Sequence, residues 1–141
     1  MRIPIEIITT NQETPYECMA MFDANDEELK LKWNQRCGNE KKPSLFELNT
    51  KKDGTLAVLK RNGEISTELN FTPGKDSQGK IHTAYGTMYI DLQTKFINLP
   101  SALCPLLQIC YYMQGSGEKP TENNISIKLL LQKENTYGKI F

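Results

Sequence analysis

Apolar and polar residues alternate with a period of two in short runs along this chain, and helical periodicity is weak throughout. Successive side chains of a strand point to opposite faces, so such runs predict extended segments with one buried and one wetted face. Ile3, Ile5 and Ile7 alternate with Pro4 and Glu6. Pro4 suggests an edge or strand-start position, because it cannot donate to a ladder. Tyr16, Cys18, Ala20 and Phe22 share the next face, and over residues 28–34 Leu29, Leu31 and Trp33 point opposite to Lys30, Lys32 and Asn34. A helix would scatter those last three apolar side chains.

Turn residues separate the runs. Residues 36–43 form a charged loop containing Gly and Pro, followed by Phe46 and Leu48 in alternation. Asp53-Gly54 and Asn62-Gly63 suit tight type I′ hairpin turns. They predict a meander of strands over 44–50, 55–60 and 65–71, the last with Ile65, Thr67, Leu69 and Phe71 on one face. Residues 72–79, with Pro73-Gly74 and several polar side chains, read as a surface loop, and strand character resumes at Lys80. Met88, Ile90 and Leu92 share a face; Gly86 is either a bulge in one long strand or the turn of a hairpin. Residues 99–105 read as a loop or short helical turn, and 115–124 as a loop. Between them Leu107, Ile109, Tyr111 and Met113 lie on a strand with few charges, hence a central one. Ile125, Ile127, Leu129 and Leu131 close the pattern, and residues 133–141 are expected to be a mobile tail. About eight to ten short strands have two main solutions, sandwich and barrel. Hairpin-linked order favours the barrel. The predicted fold is all-β: one antiparallel, lipocalin-like (calycin-type) barrel over residues 1–141.

Length agrees, since a chain of 141 residues suits one domain with a real core. Charge narrows the partners. With 17 basic residues against 17 acidic, no net field recruits nucleic acid or anionic membrane. The N-terminal residues lack the longer apolar run and cleavage site of a secretory signal, and no stretch is long enough to span a bilayer, so a cytoplasmic protein is expected. Cys18, Cys37, Cys104 and Cys110 form no C-x-x-C pair and are expected to be free thiols. The sequons at Asn70 and Asn124 carry no weight outside the secretory route.

One block resembles a known family. Residues 59–64 (Leu-Lys-Arg-Asn-Gly-Glu) precede Leu69-Asn70-Phe71 with Gly74, then residues 82–86 (His-Thr-Ala-Tyr-Gly), an alternating strand and residues 107–111 (Leu-Gln-Ile-Cys-Tyr). Their order is similar to that of the bacterial YwiB-like (DUF1934) proteins, through an R-x-G hairpin, an F-x-x-G segment, a T-x-Y-G segment and a later Tyr-containing strand. The resemblance covers about residues 56–132 and implies a small calycin-like barrel in a cytosolic bacterial protein. It implies no reaction: Arg61, Gly63, Thr83, Tyr85 and Gly86 match the pattern without an established role. The loop at Cys104-Pro105 departs from it.

Chemistry is sparse. His82 is the only histidine, no nucleophile elbow accompanies it, and phosphate-cradling glycine motifs are missing. No cofactor and no metal site is predicted. Residues 23–28 have Asp23, Asn25 and Glu27 at calcium-loop spacing, but Glu28 stands where the glycine belongs, so they read as a solvated hairpin turn. A loose set of candidate ligand-binding residues remains: Arg61, His82, Tyr85, Tyr89 and Tyr111. Tyr combines apolar area with a polar tip, and Arg can hold a carboxylate bidentately. Alternatively, Tyr85 and Tyr111 fill the core and Arg61 pairs with Glu64 or a backbone carbonyl. The expected function is binding a small apolar or acidic ligand in the barrel, without catalysis. The alternative is an interaction protein that homodimerises or docks on a partner through a strand edge or through Ile8, Met19, Met21, Leu106 and Leu130.

Overall fold

The computed structural model describes residues 1–10 and 12–130. Ten strands follow one another: β1 (Arg2–Thr9), β2 (Tyr16–Ala24), β3 (Glu28–Gln35), β4 (Ser44–Lys51), β5 (Ala57–Asn62), β6 (Ser66–Phe71), β7 (Asp76–Thr83), β8 (Gly86–Asn98), β9 (Leu106–Gln114) and β10 (Thr121–Leu129). Each pairs antiparallel with its sequence neighbours, and β10 returns to β1, so the sheet closes. Closure pairs every strand on both sides and removes the free edges at which another chain could add. The edge docking expected above therefore has no strand to use, and the edge position suggested by Pro4 is also corrected. Ile8, Met19 and Met21 are exposed on the outside of β1 and β2, whereas Leu106 and Leu130 are half-buried.

Period-two alternation becomes inside and outside. Ile3, Ile5, Ile7, Leu29, Leu31, Trp33, Leu107, Ile109, Ile125, Ile127 and Leu129 are all buried in one cluster. Register aligns them in rows: Leu31 lies opposite Leu48, Leu48 opposite Leu59, and Leu59 opposite Leu69. A ten-stranded barrel is wider than an eight-stranded one, so filling it takes large side chains. Phe71 is fully buried with its ring 4.7 Å from that of Tyr111, and Trp33 stacks on Phe46 at 5.4 Å. The hydroxyls of Thr50 and Thr94 are buried in this interior without a protein partner.

Several boundaries differ from the sequence reading. Strand β7 begins at Asp76, inside the stretch read as a loop, and the turn is confined to the residues around Gly74 (φ 76°), where the Lys75 amide donates to Thr72 O. The first two inward positions of β7 carry no apolar side chain: Ser77, opposite Leu92, and Gly79, opposite Ile90. A Cβ on Gly79 would lie 2.5 Å from Leu69 Cδ2 and 2.9 Å from Ile90 Cγ1, so neighbouring side chains fill the space and the alternation disappears from the sequence. Strand β10 starts at Thr121, four residues before the expected Ile125, because its polar beginning pairs with β9 at the barrel end. Gly86 closes a hairpin turn, with Thr83 opposite it. The bulge lies between Thr94 and Phe96 and turns Phe96 outward. Neither Gly turn of the meander is the expected two-residue type: Lys51 N–H reaches Leu56 O around Gly54, and Gly63 lacks a positive φ. Residues 99–105 contain no helix. The acidic hairpin turn is as expected, with Asn25 Oδ1 accepting from the Glu27 and Glu28 amides at 2.8 Å. Leu131 and residues 133–141 lie outside the described residues. Among the described residues no helix is long and apolar enough to cross a membrane.

Candidate functional site

The connections β1–β2, β3–β4, β5–β6, β7–β8 and β9–β10 gather at one end of the barrel, here termed the mouth. One inward row crosses six strands there: Trp33, Phe46, Arg61, Thr67, Ile81 and Met88 stand opposite one another in sequence from β3 to β8. The row is aromatic at one end, cationic at its third member and apolar at the other end. Arg61 is the only charged residue in it, and its side chain is 18% exposed.

A carboxylate meets that cation. Arg61 Nη2 donates to Glu40 Oε1, and Arg61 Nε donates to Ser44 Oγ at 3.4 Å. Ser44 Oγ in turn donates to Glu40 Oε2 at 2.6 Å, and the guanidinium lies 5.6 Å over the Phe46 ring. Glu40 belongs to the β3–β4 loop, yet its side chain is only 6% exposed. The loop folds back over the mouth. Glu40 N–H donates to Cys37 O, Arg36 Nη2 donates to Lys41 O, and Lys41 N–H reaches Glu64 Oε1 on the β5–β6 connection. Gly63 completes the seat: a Cβ there would overlap Ser44 Oγ, lie 2.9 Å from Ser44 Cβ and 3.3 Å from Glu40 Oε2. Glycine is needed here for close approach and not for a positive φ.

Electrostatics follow the geometry. The Ser44 hydrogen bond holds the Glu40 carboxyl below the usual glutamate range; Arg61 adds to this while desolvation opposes it. A carboxyl depressed in the folded state stabilises the fold above its unfolded pKa and loses that contribution as pH falls through the folded value. Acidification is therefore expected to release the Glu40 latch only below the usual glutamate range. Trp33, the sole tryptophan, stacks on Phe46 beneath Arg61, so its emission reports the step. Glu40→Gln should lack that step; an unchanged acid transition in this variant would assign it to another group. Burial raises the Cys37 thiol, with Arg61 opposing, and burial likewise raises Cys18 and Cys110. Raised thiols are poor nucleophiles at neutral pH.

Beyond Thr67 in the row, two and three strands from Arg61, Ile81 and Met88 join Met113, Tyr89 and Thr121 around a groove of about 410 Å³. Met88 remains 58% exposed, although Ile90 and Leu92 of the same face are buried, because it lies at the mouth.

The five residues expected to form a ligand site do not converge. Arg61 lies in the mouth, but its partner is Glu40, whereas Glu64 serves Lys41. Tyr111 is in the core against Phe71, where burial pushes its hydroxyl up to about 12. Tyr89 is exposed and borders the groove, and Tyr85 is fully exposed at the tip of the β7–β8 turn. His82 is on the outer surface, with Nδ1 2.7 Å from Thr87 Oγ1. Glu40 and Ser44 escaped the sequence reading as site residues, and Gly63 was read only as a turn glycine and a match to the family pattern. Glu40 stands in a charged loop beside Lys41 and Lys42, and no local spacing separates it from solvated neighbours. Among the described residues no group of three or more His, Cys, Asp or Glu side chains is placed to hold a metal ion.

The match to a family described as a domain of unknown function, DUF1934, runs over residues 33–127, more than half of the chain. The chain belongs to the DUF1934 family. Its matched span contains Glu40, Ser44, Arg61 and Gly63, so the whole latch lies within the DUF1934 segment. The crystal structure of the YwiB protein from Bacillus subtilis is similar in fold, with a TM-score of 0.62 and 11% identity over 92% of this chain and 94% of that one. No curated protein matches the chain.

Proposed function

We propose that this DUF1934 barrel binds a small amphipathic carboxylic acid at its mouth, without catalysis. The carboxylate would sit on Arg61 and the apolar body along Ile81, Met88 and Met113. One observation carries the reading: Arg61 already holds a carboxylate, that of Glu40, in a seat formed by Ser44, Phe46 and Gly63. Charge-assisted bonds of this kind recognise a carboxylate whichever chain supplies it. Arg61 and Met88 are three strands apart in one row, about 14 Å at ordinary strand spacing, which suits the length of a medium-chain acid. The groove volume falls within the usual range for small-ligand sites. The interior below is filled by side chains, so the mouth is a better location than the barrel centre.

Calorimetric titration with decanoate tests this, using decanol as the uncharged control. Glu40 competes for the seat, so Glu40→Gln is expected to bind decanoate about tenfold more tightly, a difference of roughly 1.4 kcal/mol. Arg61→Met, verified as folded by circular dichroism, should lose binding. Absence of decanoate binding to Glu40→Gln at millimolar concentration, or equal binding by Arg61→Met, would sink the reading.

A further inference from the structure

A second polar cluster lies outside the barrel on β5, β6 and β7, separate from the mouth. Register places Lys60 opposite Glu68 and Glu68 opposite Lys80; one step nearer the mouth, Ser66 stands opposite His82. With Asn62, these side chains line a groove of about 420 Å³. An ordinary cross-strand charge ladder would join Glu68 to its flanking lysines. Here neither lysine ammonium comes within 4.0 Å of the Glu68 carboxylate, while the described ion pairs lie elsewhere, at Lys30–Glu28, Lys32–Glu47, Arg61–Glu40 and Lys95–Glu122. The two ammonium groups thus remain uncommitted on either side of a concave surface. His82 is better defined: its Nδ1 is engaged by Thr87 Oγ1 at 2.7 Å, which orients the ring and leaves Nε2 for another partner.

We propose that this outer groove binds a small phosphomonoester that also carries hydroxyl groups. Charge favours an anion: the Lys60 and Lys80 ammonium groups flank Glu68 and leave the groove net positive, with His82 Nε2 beside them. Ser66 and Asn62 supply neutral donors beside the cations. Glu68 would repel a bare polyanion, and it selects for a ligand whose body donates hydrogen bonds through its hydroxyl groups. This site shares no residue with the Arg61 seat, so either reading stands or falls alone.

Proton NMR provides a direct test because His82 is the only histidine, and its ring C–H resonances identify the groove. Glycerol 3-phosphate is the probe, with glycerol and sodium chloride at matched ionic strength as controls. A saturable shift of the His82 resonances is expected with the phosphate ester alone. It should weaken at least tenfold in Lys60→Gln/Lys80→Gln, a pair of changes at exposed positions that leaves the core untouched. A shift that does not saturate, that sodium chloride reproduces, or that persists undiminished in the double variant would overturn the proposal.

Discussion

Phe71→Ala is expected to destabilise the barrel by about 3–5 kcal/mol, the usual range for deleting a buried aromatic ring. Phe71 is completely buried and stands opposite Ala57, whose methyl group leaves the space that the ring occupies. Tyr111 meets the ring at 4.7 Å with the planes tilted by 53°, a favourable aromatic geometry that is lost with the ring. A closed barrel cannot shrink without repairing its whole hydrogen-bonded circumference, so the cavity should collapse little. Stability of a domain is typically about 5–15 kcal/mol, which makes this loss about a fifth of the total or more. Urea unfolding followed by Trp33 emission should show a lower midpoint with an unchanged slope. Phe71→Leu keeps most of the volume and should cost less than half as much. A Phe71→Ala midpoint within error of the parent would mean that the interior is not filled as described.

Gly63→Ala tests the seat of the latch from its other side. The added methyl group would overlap Ser44 Oγ and lie 2.9 Å from Ser44 Cβ, which is part of a sheet and cannot retreat as a flexible side-chain tip can. Overpacking of this kind costs about 1–3 kcal/mol. Displacing Ser44 also removes the hydroxyl that holds Glu40 Oε2, so the β3–β4 loop should loosen. Two measurements separate these effects. Urea unfolding reports the stability loss, and amide hydrogen exchange reports opening at Glu40, whose N–H otherwise donates to Cys37 O. Adding Ser44→Gly removes both clashing atoms and should recover much of the stability without restoring protection at Glu40. If the double variant is no more stable than Gly63→Ala, steric conflict with Ser44 is not the cause.

Legibility differed from one part of the chain to another. Leu29, Leu31 and Trp33 could be placed on one face directly, because they alternate with Lys30, Lys32 and Asn34. Asp76, Ser77 and Gln78 could not be recognised as strand, since the inward position that follows them is Gly79 and its space belongs to Leu69 and Ile90. Gly86 illustrates an intermediate case. Its residue type announced a break, but pairing with Thr83 was needed to make that break a turn. Among the candidate site residues, Arg61 lies in the mouth paired with Glu40, whereas Tyr111 lies in the core and Tyr85 in solvent. Tyrosine suits both surroundings, so its type alone does not choose between them.

Period-two alternation and turn chemistry are local properties, and they determined that the chain is all-β and hairpin-linked and favoured a barrel over a sandwich; closure itself comes from the pairing of β1 with β10. Which polar groups meet is a long-range property. Glu40 reaches Arg61 across 21 residues only because β3, β4 and β5 pair in one register and the intervening loop bends over the mouth. The outer row of Lys60, Glu68 and Lys80 arises in the same way, from three strands whose relative offset no single segment encodes. Closure of the sheet sets those offsets together, since shifting one strand by a residue would turn its apolar side chains into water.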